Sequence, residues 1–265
     1  MHRILILGFD QFAQHLSITL CNKGAKIYTL NDLPIEHPNA HCIDKDLFTL
    51  TPNDIPFITH VLYMVKPWCK KVRHYRRSYI HGLSHILSLI SEKRSKPQII
   101  LMSSTDIYKQ SNISCVDEKT PINTPYWVAN ILAKAEHQVA QSQLNSLILR
   151  IAPTYESVYE NTKNKLTANQ LNFSSRPNPI HWVSMEDASH AIYHLVAQKH
   201  SGIFNINTQP IMINTYLSWM SSYYGISIKA TPKIKPWATC PKVSCAKLIA
   251  TGFNFKGTSQ ITILA

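Results

Sequence analysis

Short apolar runs alternate along this chain with stretches in which apolar residues recur every three or four positions. Residues 4–7 form the first apolar run, residues 11–21 carry the helical spacing, and Gly24 precedes a second run at residues 26–30. A short apolar run is typical of a strand buried on both faces, and the wider spacing is typical of a helix with one apolar face. Their alternation predicts a parallel sheet whose strands are joined by crossover helices.

The same pattern continues to residue 224 and predicts six strands and five helices. The predicted strands are residues 4–7, 26–30, 60–65, 98–102, 146–151 and 202–207, and the predicted helices are residues 11–21, 78–91, 126–143, 187–197 and 215–224. Asp187 suits the N-cap of its helix, because an Asp side chain accepts hydrogen bonds from free N–H groups there. We therefore predict an α/β fold with two parts. Residues 1–152 form the core of the sheet, and residues 153–265 complete the sheet and form a smaller C-terminal lobe.

The composition narrows the class of protein. A chain of 265 residues with 45% hydrophobic residues is long enough to bury a full core. No apolar stretch approaches the roughly 18 residues of a transmembrane helix, and the first apolar run is too short for a signal peptide. The six cysteines form no C-x-x-C pair and no Cys/His metal spacing. This pattern indicates reduced thiols, a cytoplasmic location and no metal site.

The net charge of +12 is unevenly placed along the chain. No Asp or Glu occurs between Ile55 and Ser91, whereas residues 66–77 (KPWCKKVRHYRR), which we call the basic segment, carry six Lys and Arg residues. Such a field favours phosphate-bearing partners: a nucleotide, a nucleic acid or an anionic surface. A charge run is also typical of a solvated face without a specific partner, and both interpretations stay open.

The link between the first strand and its helix has the outline of a nucleotide-binding turn. Such a turn reads G-x-G-x-x-G, because glycines let the backbone close on a diphosphate at the helix N-terminus. Here the three positions hold Gly8, Asp10 and Ala13. Ala13 suits close packing of the helix on the strand. Asp10 adds a Cβ and a carboxylate where the diphosphate is expected.

Seven short blocks occur in a recognisable order and span nearly the whole chain. The blocks are residues 4–13 (ILILGFDQFA), 64–67 (MVKP), 103–108 (SSTDIY), 116–121 (VDEKTP), 149–155 (LRIAPTY), 185–188 (MEDA) and 204–207 (FNIN). On these blocks the chain resembles the extended short-chain dehydrogenase/reductase superfamily, in particular its branch of NAD-dependent epimerases and dehydratases. The resemblance implies a Rossmann-like, doubly wound parallel sheet with a small C-terminal lobe of the substrate-binding type.

The superfamily's reaction uses a serine or threonine at the end of the sheet, a tyrosine as general acid/base and a lysine four residues after it. The lysine holds the cofactor ribose and lowers the pKa of the tyrosine. Ser104 matches the serine position. Val128 and Leu132 fall at the tyrosine and lysine positions when the helix is anchored on residues 135–136 (AE). Tyr126 lies two residues early. The resemblance therefore gives Ser104 and Tyr126 as candidate catalytic residues and implies weak or lost catalysis.

The resemblance implies NAD or NADP as the cofactor and a small-molecule nucleotide as the ligand. Asn31 and Asp32 follow the second strand, where an acidic residue normally binds the adenosine ribose, but they also suit an ordinary turn. The serines at the strand end and Tyr126 also have a structural interpretation, as partners of backbone groups and as a packing aromatic. The candidate cofactor-binding residues are Gly8, Asp10, Gln11, Phe12, Asn31, Asp32, Val65, Lys66 and Ser103.

Three functions follow from these observations, and whether the chain is an enzyme stays open. The first, implied by the resemblance, is an NAD(P)-dependent epimerase, dehydratase or oxidoreductase acting on a nucleotide sugar or similar substrate. The second is an inactive scaffold or binding protein, which Asp10, Val128 and Leu132 favour. The third, which we favour least, is an anion or nucleic-acid binder that uses the basic segment. Cations in that segment could instead help to hold a nucleotide whose glycine turn has been lost. The resemblance also implies a homodimer that pairs the predicted helices 78–91 and 126–143.

Overall fold

The computed structural model of the protein describes residues 2–30, 36–109, 113–167, 179–208, 210–225 and 241–256. Eleven strands lie within these ranges. In chain order they are β1 (Arg3–Leu7), β2 (Lys26–Leu30), β3 (Ala40–Ile43), β4 (His60–Tyr63), β5 (Gln98–Ser104), β6 (Cys115–Val116), β7 (Ser146–Ile151), β8 (Pro179–Ile180), β9 (Gly202–Ile206), β10 (Ile211–Met212) and β11 (Lys242–Val243).

Eight α-helices connect or follow these strands within the same ranges. They are α1 (Gln11–Asn22), α2 (Val72–Arg76), α3 (Leu83–Ser91), α4 (Trp127–Gln141), α5 (Tyr155–Thr167), α6 (Met185–Ala197), α7 (Ile213–Tyr224) and α8 (Ala246–Ile249). A π-helical turn at Arg77–Gly82 joins α2 to α3, and a 3-10 turn at Thr105–Tyr108 follows β5.

Seven of the strands form one sheet in the order β3-β2-β1-β4-β5-β7-β9, and each neighbouring pair is parallel. The chain first builds outward from β1 to β3 and then returns to place β4 on the other side of β1. This reversal is a topological switch, and in open parallel sheets ligands bind outside the carboxyl ends of the strands at such a point. The predicted α/β fold, a Rossmann-like doubly wound parallel sheet, is confirmed.

The two faces of the sheet carry separate cores, because successive side chains of a strand point to opposite faces. Ile4 and Ile6 of β1 pack into the cluster that contains the buried sides of α1 and α6. Leu5 and Leu7 pack into the other cluster, which contains the buried sides of α3 and α4. A third cluster, formed by aromatic residues such as Trp182 and residues of α7, lies in the region after β7.

Several details differ from the sequence-based prediction. The prediction that Asp187 is an N-cap is wrong: α6 begins at Met185, and the Ser184 hydroxyl accepts from the Asp187 N–H at 3.0 Å. Asp187 lies in the first turn, and its buried carboxylate accepts from the Lys256 N–H at 2.8 Å. The helical region predicted at 78–91 begins earlier, with α2, which has no buried residue and therefore no apolar periodicity. The strand predicted at 60–65 ends at Tyr63.

Candidate functional site

A cleft of about 460 Å³ opens at the topological switch. Its walls are formed by segments that follow β1, β4, β5 and β7, together with one side of α4. Parallel strands end at one edge of the sheet, so residues far apart in the sequence meet there. Of the predicted site residues, the structure brings six to the wall of the cleft: Asp10, Gln11, Phe12, Lys66, Ser103 and Ser104.

Gly8 and Val65 lie behind this wall, where β1 and the residues after β4 approach each other closely. Gly8 has a φ of +87°, and a Cβ at this position would lie 2.6 Å from both the Cα and the N of Val65. The glycine is therefore required by the contact between two backbone segments, whether or not a ligand binds. Asn31 and Asp32 lie outside the described residues.

The carboxylate of Asp10 occupies the N-terminus of α1. One of its oxygens accepts from the Ala13 N–H at 2.9 Å, which makes Asp10 the N-cap of the helix. The other oxygen pairs with Lys66 Nζ. The side chains of Lys66 and Asp10 are 62% and 37% exposed, so the ion pair lies at the mouth of the cleft. An internal carboxylate with its own counter-ion thus stands where the fold usually binds a phosphate.

Val128 and Leu132 lie on the side of α4 that lines the cleft. Their side chains are 2% and 1% exposed, respectively. The sequence blocks place them where the superfamily has its tyrosine and lysine. Neither side chain can donate or accept a proton, so this part of the wall is apolar and holds no acid/base pair.

Tyr126 is the N-cap residue of α4 and is not one of the described residues that line the cleft. Two lysines lie near its ring: Lys70 Nζ is 5.7 Å and Lys109 Nζ is 5.0 Å from the ring centroid. These contacts are attractive cation–π interactions. A role for Tyr126 as general acid/base stays a prediction.

Two other tyrosines, Tyr75 in the basic segment and Tyr79 just after it, line the cleft, and neither was among the candidate catalytic or cofactor-binding residues. They are four positions apart on one helical face, a spacing that could have shown that they point the same way. Burial raises the pKa of both phenols above the ordinary value of 10.0, with further contributions from neighbouring tyrosines and Asp106. A raised pKa is the opposite of what a tyrosine base needs at neutral pH.

The two serines at the end of β5 are engaged in structural hydrogen bonds. The Ser104 hydroxyl accepts from the Asp106 N–H at 3.1 Å and caps the 3-10 turn. The Ser103 hydroxyl donates to Glu136 Oε1 at 2.6 Å. Both serines also line the cleft, so a ligand that bonded to either hydroxyl would compete with these bonds.

Ser103 belongs to a buried polar network behind the cleft. Glu136 of α4 forms a two-pronged ion pair with Arg150 of β7, with Nη2 to Oε2 at 2.7 Å and Nε to Oε1 at 3.0 Å. Arg150 Nη1 donates to the Tyr108 hydroxyl at 2.6 Å, and that hydroxyl donates to Asn205 Oδ1 at 2.8 Å. Burial alone would lower the pKa of Arg150, but the hydrogen bonds and charge of Glu136 raise it overall. The network ties α4, β7 and β9 together beneath the site.

The described residues contain neither a membrane-spanning helix nor a metal-binding cluster. None of the helices there combines the length and apolar character needed to cross a lipid bilayer. No group of three or more His, Cys, Asp or Glu side chains in this part of the chain is arranged to hold a metal ion.

Comparison with known proteins relates the fold to one class of solved structures. No protein-family model matches the chain, and no curated protein sequence matches it. A protein from Methylobacillus flagellatus classed as an NAD-dependent epimerase/dehydratase is similar at 22% identity, with 99% of this chain and 97% of that chain covered and a TM-score of 0.74. The UDP-N-acetylglucosamine 4-epimerase of Methanobrevibacter ruminantium, solved with UDP-N-acetylmuramic acid, gives 14% identity, 99% and 96% coverage and a TM-score of 0.81. A short-chain dehydrogenase/reductase superfamily protein of Agrobacterium tumefaciens with bound NAD gives 15% identity, 98% and 94% coverage and a TM-score of 0.77.

At these identities the likeness establishes the fold. The protein has the fold of the extended short-chain dehydrogenase/reductases, as the sequence blocks predicted, and its structural neighbours include epimerases and dehydratases. The fold extends over nearly the full length of each neighbour.

The cleft fits a dinucleotide in some respects and opposes it in others. Its position at the topological switch, the N–H groups at the start of α1 and the cation Lys66 all suit a diphosphate. The carboxylate of Asp10 repels one. Of the six cations in the basic segment, Lys66 is the one that lies among the described lining residues. The structure therefore places Lys66, and not the arginines of the basic segment, where a cation could contact a diphosphate.

Proposed function

We propose that the protein binds NAD or NADP in this cleft and has weak or no epimerase, dehydratase or oxidoreductase activity. The observation that carries the proposal is the burial of Val128 and Leu132 in the cleft wall, where the superfamily has its proton-transfer pair. The ligand-binding architecture is retained, and the acid/base chemistry is not.

The residues that would hold the cofactor follow from the geometry. The backbone N–H groups of Gln11 and Phe12 at the start of α1 would face the diphosphate, and Lys66 would exchange Asp10 for a phosphate. Ser103 and Ser104 would border the far end of the cofactor. A bound nicotinamide supplies hydride transfer. This chain would supply the position of the ligand and an apolar wall.

Support for the choice of ligand comes from the neighbours. The Agrobacterium tumefaciens protein was solved with NAD, and the Methanobrevibacter ruminantium epimerase with a nucleotide sugar. We therefore propose a nucleotide sugar or similar molecule as the second ligand, and a homodimer through α3 and α4, testable by light scattering.

Calorimetry with NAD(H) and NADP(H) tests the binding proposal. We expect weak binding by the wild type and affinity at least about fivefold higher in Asp10→Gly, because a carboxylate at the mouth of the cleft no longer competes with the diphosphate. Lys66→Ala should weaken binding by a similar factor. Lys134→Ala, which removes an exposed lysine from α4, is the matched control and should bind as the wild type does.

The outcomes separate the two parts of the proposal. Absence of binding by both the wild type and Asp10→Gly would overturn the cofactor proposal and favour an inactive scaffold, the second candidate, for which the Asp10–Lys66 pair is the supporting observation. Turnover of a nucleotide sugar at a rate ordinary for an enzyme, about 10 per second, would contradict weak or lost catalysis.

A further inference from the structure

Among the described residues, no carboxylate pairs with five of the six cations of the basic segment. Lys66 pairs with Asp10, but no ion pair within the described part of the chain involves Lys70, Lys71, Arg73, Arg76 or Arg77. All five side chains are exposed. A protein surface ordinarily intersperses charges of both signs, so five unpaired cations in eight consecutive positions create a strong local field for anions.

Helical geometry gathers the three arginines on one side. Arg73, Arg76 and Arg77 are three and four positions apart, which places them on the same face of the helical region formed by α2 and the turn after it. Tyr75 lies on the opposite side, where its ring meets Trp127 of α4 at 5.0 Å. The arginine face is therefore exposed to solvent, and the Arg77 guanidinium also lies over the Phe48 ring, 4.4 Å from its centroid.

Trp68 lies two positions before Lys70 in the chain and is 93% exposed. Large aromatic side chains are rarely left in water, and an exposed one in a cationic loop offers a flat surface for stacking. A second aromatic, Tyr126, lies next to Lys70 at the adjoining end of α4. The surface thus combines unpaired cations with aromatic faces, the two features that proteins use to bind single-stranded nucleic acid.

We propose that this surface, consisting of Trp68, Lys70, Lys71, Arg73, Arg76 and Arg77, binds single-stranded nucleic acid. The cations contact the phosphates, and a base stacks on Trp68. A single strand fits better than a duplex, because only unpaired bases present their faces to an aromatic side chain. A single strand is also a better ligand for this surface than a membrane, because the arginine face is polar. Trp68 and Val72 are the only exposed large apolar side chains among the described residues of the basic segment. The proposal does not depend on dinucleotide binding in the cleft.

Fluorescence anisotropy with labelled oligo(U) and oligo(dT), each about 12 nucleotides long, tests it across about 50 to 200 mM salt. The full-length wild type should bind both, with an affinity that falls steeply with salt. The variant with Arg73→Glu, Arg76→Glu and Arg77→Glu should bind at least about tenfold more weakly at low salt. The slope of log affinity against log salt should become shallower by about 2, since each single-strand phosphate contact contributes about 0.7.

Two further variants make the result specific. Trp68→Ala should weaken binding at least about fivefold and leave the salt slope unchanged, because stacking involves no counterion release. The matched control, Arg94→Glu with Lys96→Glu and Lys134→Glu, changes the net charge by the same amount at exposed positions outside the surface. Its affinity should stay within about twofold of the wild type. Circular dichroism and thermal unfolding check that each variant is folded.

Three results would overturn the proposal. One is the absence of salt-dependent binding by the wild type. Another is an equal loss in the control variant, which would indicate attraction by net charge alone. The third is an unchanged affinity in Trp68→Ala together with retention on phosphatidylserine vesicles, which would assign the surface to anionic membranes. The cofactor calorimetry described above, repeated on the three-arginine variant, should be unchanged, so failure here is distinguishable from failure of the proposed function.

Discussion

Replacing Glu136 should destabilise the protein more than a typical point mutation, because the change leaves a buried positive charge without its counter-ion. Glu136 and Arg150 are 6% and 4% exposed, respectively. The carboxylate accepts from Arg150 at 2.7 and 3.0 Å and from the Ser103 hydroxyl at 2.6 Å. In Glu136→Leu, the partner left to the guanidinium within the described network is the hydroxyl of Tyr108.

The magnitude follows from the burial of both partners. Removing one side of a buried ion pair typically costs about 3–5 kcal/mol, whereas the free energy of unfolding of a whole domain is about 5–15 kcal/mol. We expect Glu136→Leu to lower the free energy of unfolding by about 4 kcal/mol. Arg150→Met should cause a similar loss, because it leaves the carboxylate unpaired. The double variant buries no charge at this point, so its loss should be smaller than the sum of the two single losses by about 2 kcal/mol or more.

Urea unfolding followed by circular dichroism and tryptophan fluorescence measures these losses. If Glu136→Leu does not accumulate as folded protein, Glu136→Gln keeps the size of the side chain and an acceptor oxygen, and a smaller loss of about 2 kcal/mol is expected. Glu160→Leu, at an exposed position of α5, is the control and should stay within about 0.5 kcal/mol of the wild type.

Two results would refute the reasoning. Losses below about 1 kcal/mol in both single variants would mean that the pair is solvated or rearranges readily. Strictly additive losses in the double variant would mean that the two side chains do not interact in the folded protein.

The remaining predictions concern a glycine and a histidine. Gly8→Ala should lower the free energy of unfolding by at least about 2 kcal/mol, because the new Cβ would lie 2.6 Å from the Val65 backbone and the φ of residue 8 is +87°. Gly24 has a φ of +82°, but nothing lies within 4 Å of an added Cβ, so Gly24→Ala should lower the free energy of unfolding by only about 1 kcal/mol. Thermal unfolding measures both losses. Equal losses in the two variants would contradict the role of the contact with Val65. Burial lowers the pKa of His60 from 6.5 to about 4, so the unfolded chain takes up the proton first as the pH falls. Protonation of this residue should therefore lower the free energy of unfolding of the wild type by about 3 kcal/mol between pH 6.5 and pH 4. In His60→Gln the free energy of unfolding should depend less steeply on pH. Identical slopes in the two proteins would contradict the prediction.

The fold could be predicted where burial leaves a periodic pattern. The bounds of β2 and β7 agree with the prediction, because both are apolar runs in the interior of the chain. The prediction missed β3, an edge strand with no buried residue, since its pattern has no apolar alternation. It also missed α5, whose first turns are polar or only partly buried. The Ser184 cap could have been found, because Ser184 and Asp187 have the spacing of a capping box.

The candidate site was predicted only where it follows directly from a strand end. Asp10, Lys66 and Ser104 lie at or just after the carboxyl ends of β1, β4 and β5. These strands are neighbours in the sheet, so the strand order alone brings the three residues together at the topological switch. Tyr75 and Tyr79 come from a helical region whose packing against α4 cannot be read from the charged sequence around them. Sequence could not show that Trp68 is exposed, because exposure depends on the path of the loop.

Under the proposed function, the Asp10–Lys66 pair weakens the cofactor site without closing it. A pair that is 37% and 62% exposed contributes at most about 1 kcal/mol, since solvent screens both charges. A diphosphate carries more negative charge than one carboxylate and can bond to several N–H groups at the start of α1 as well as to Lys66. It can therefore displace the pair at a cost of about fivefold in affinity. The proposed loss of proton-transfer chemistry is different, because no movement of a side chain turns Val128 or Leu132 into an acid or a base. We therefore expect a weakened turn that a ligand can still open, and catalytic positions that no rearrangement of side chains restores.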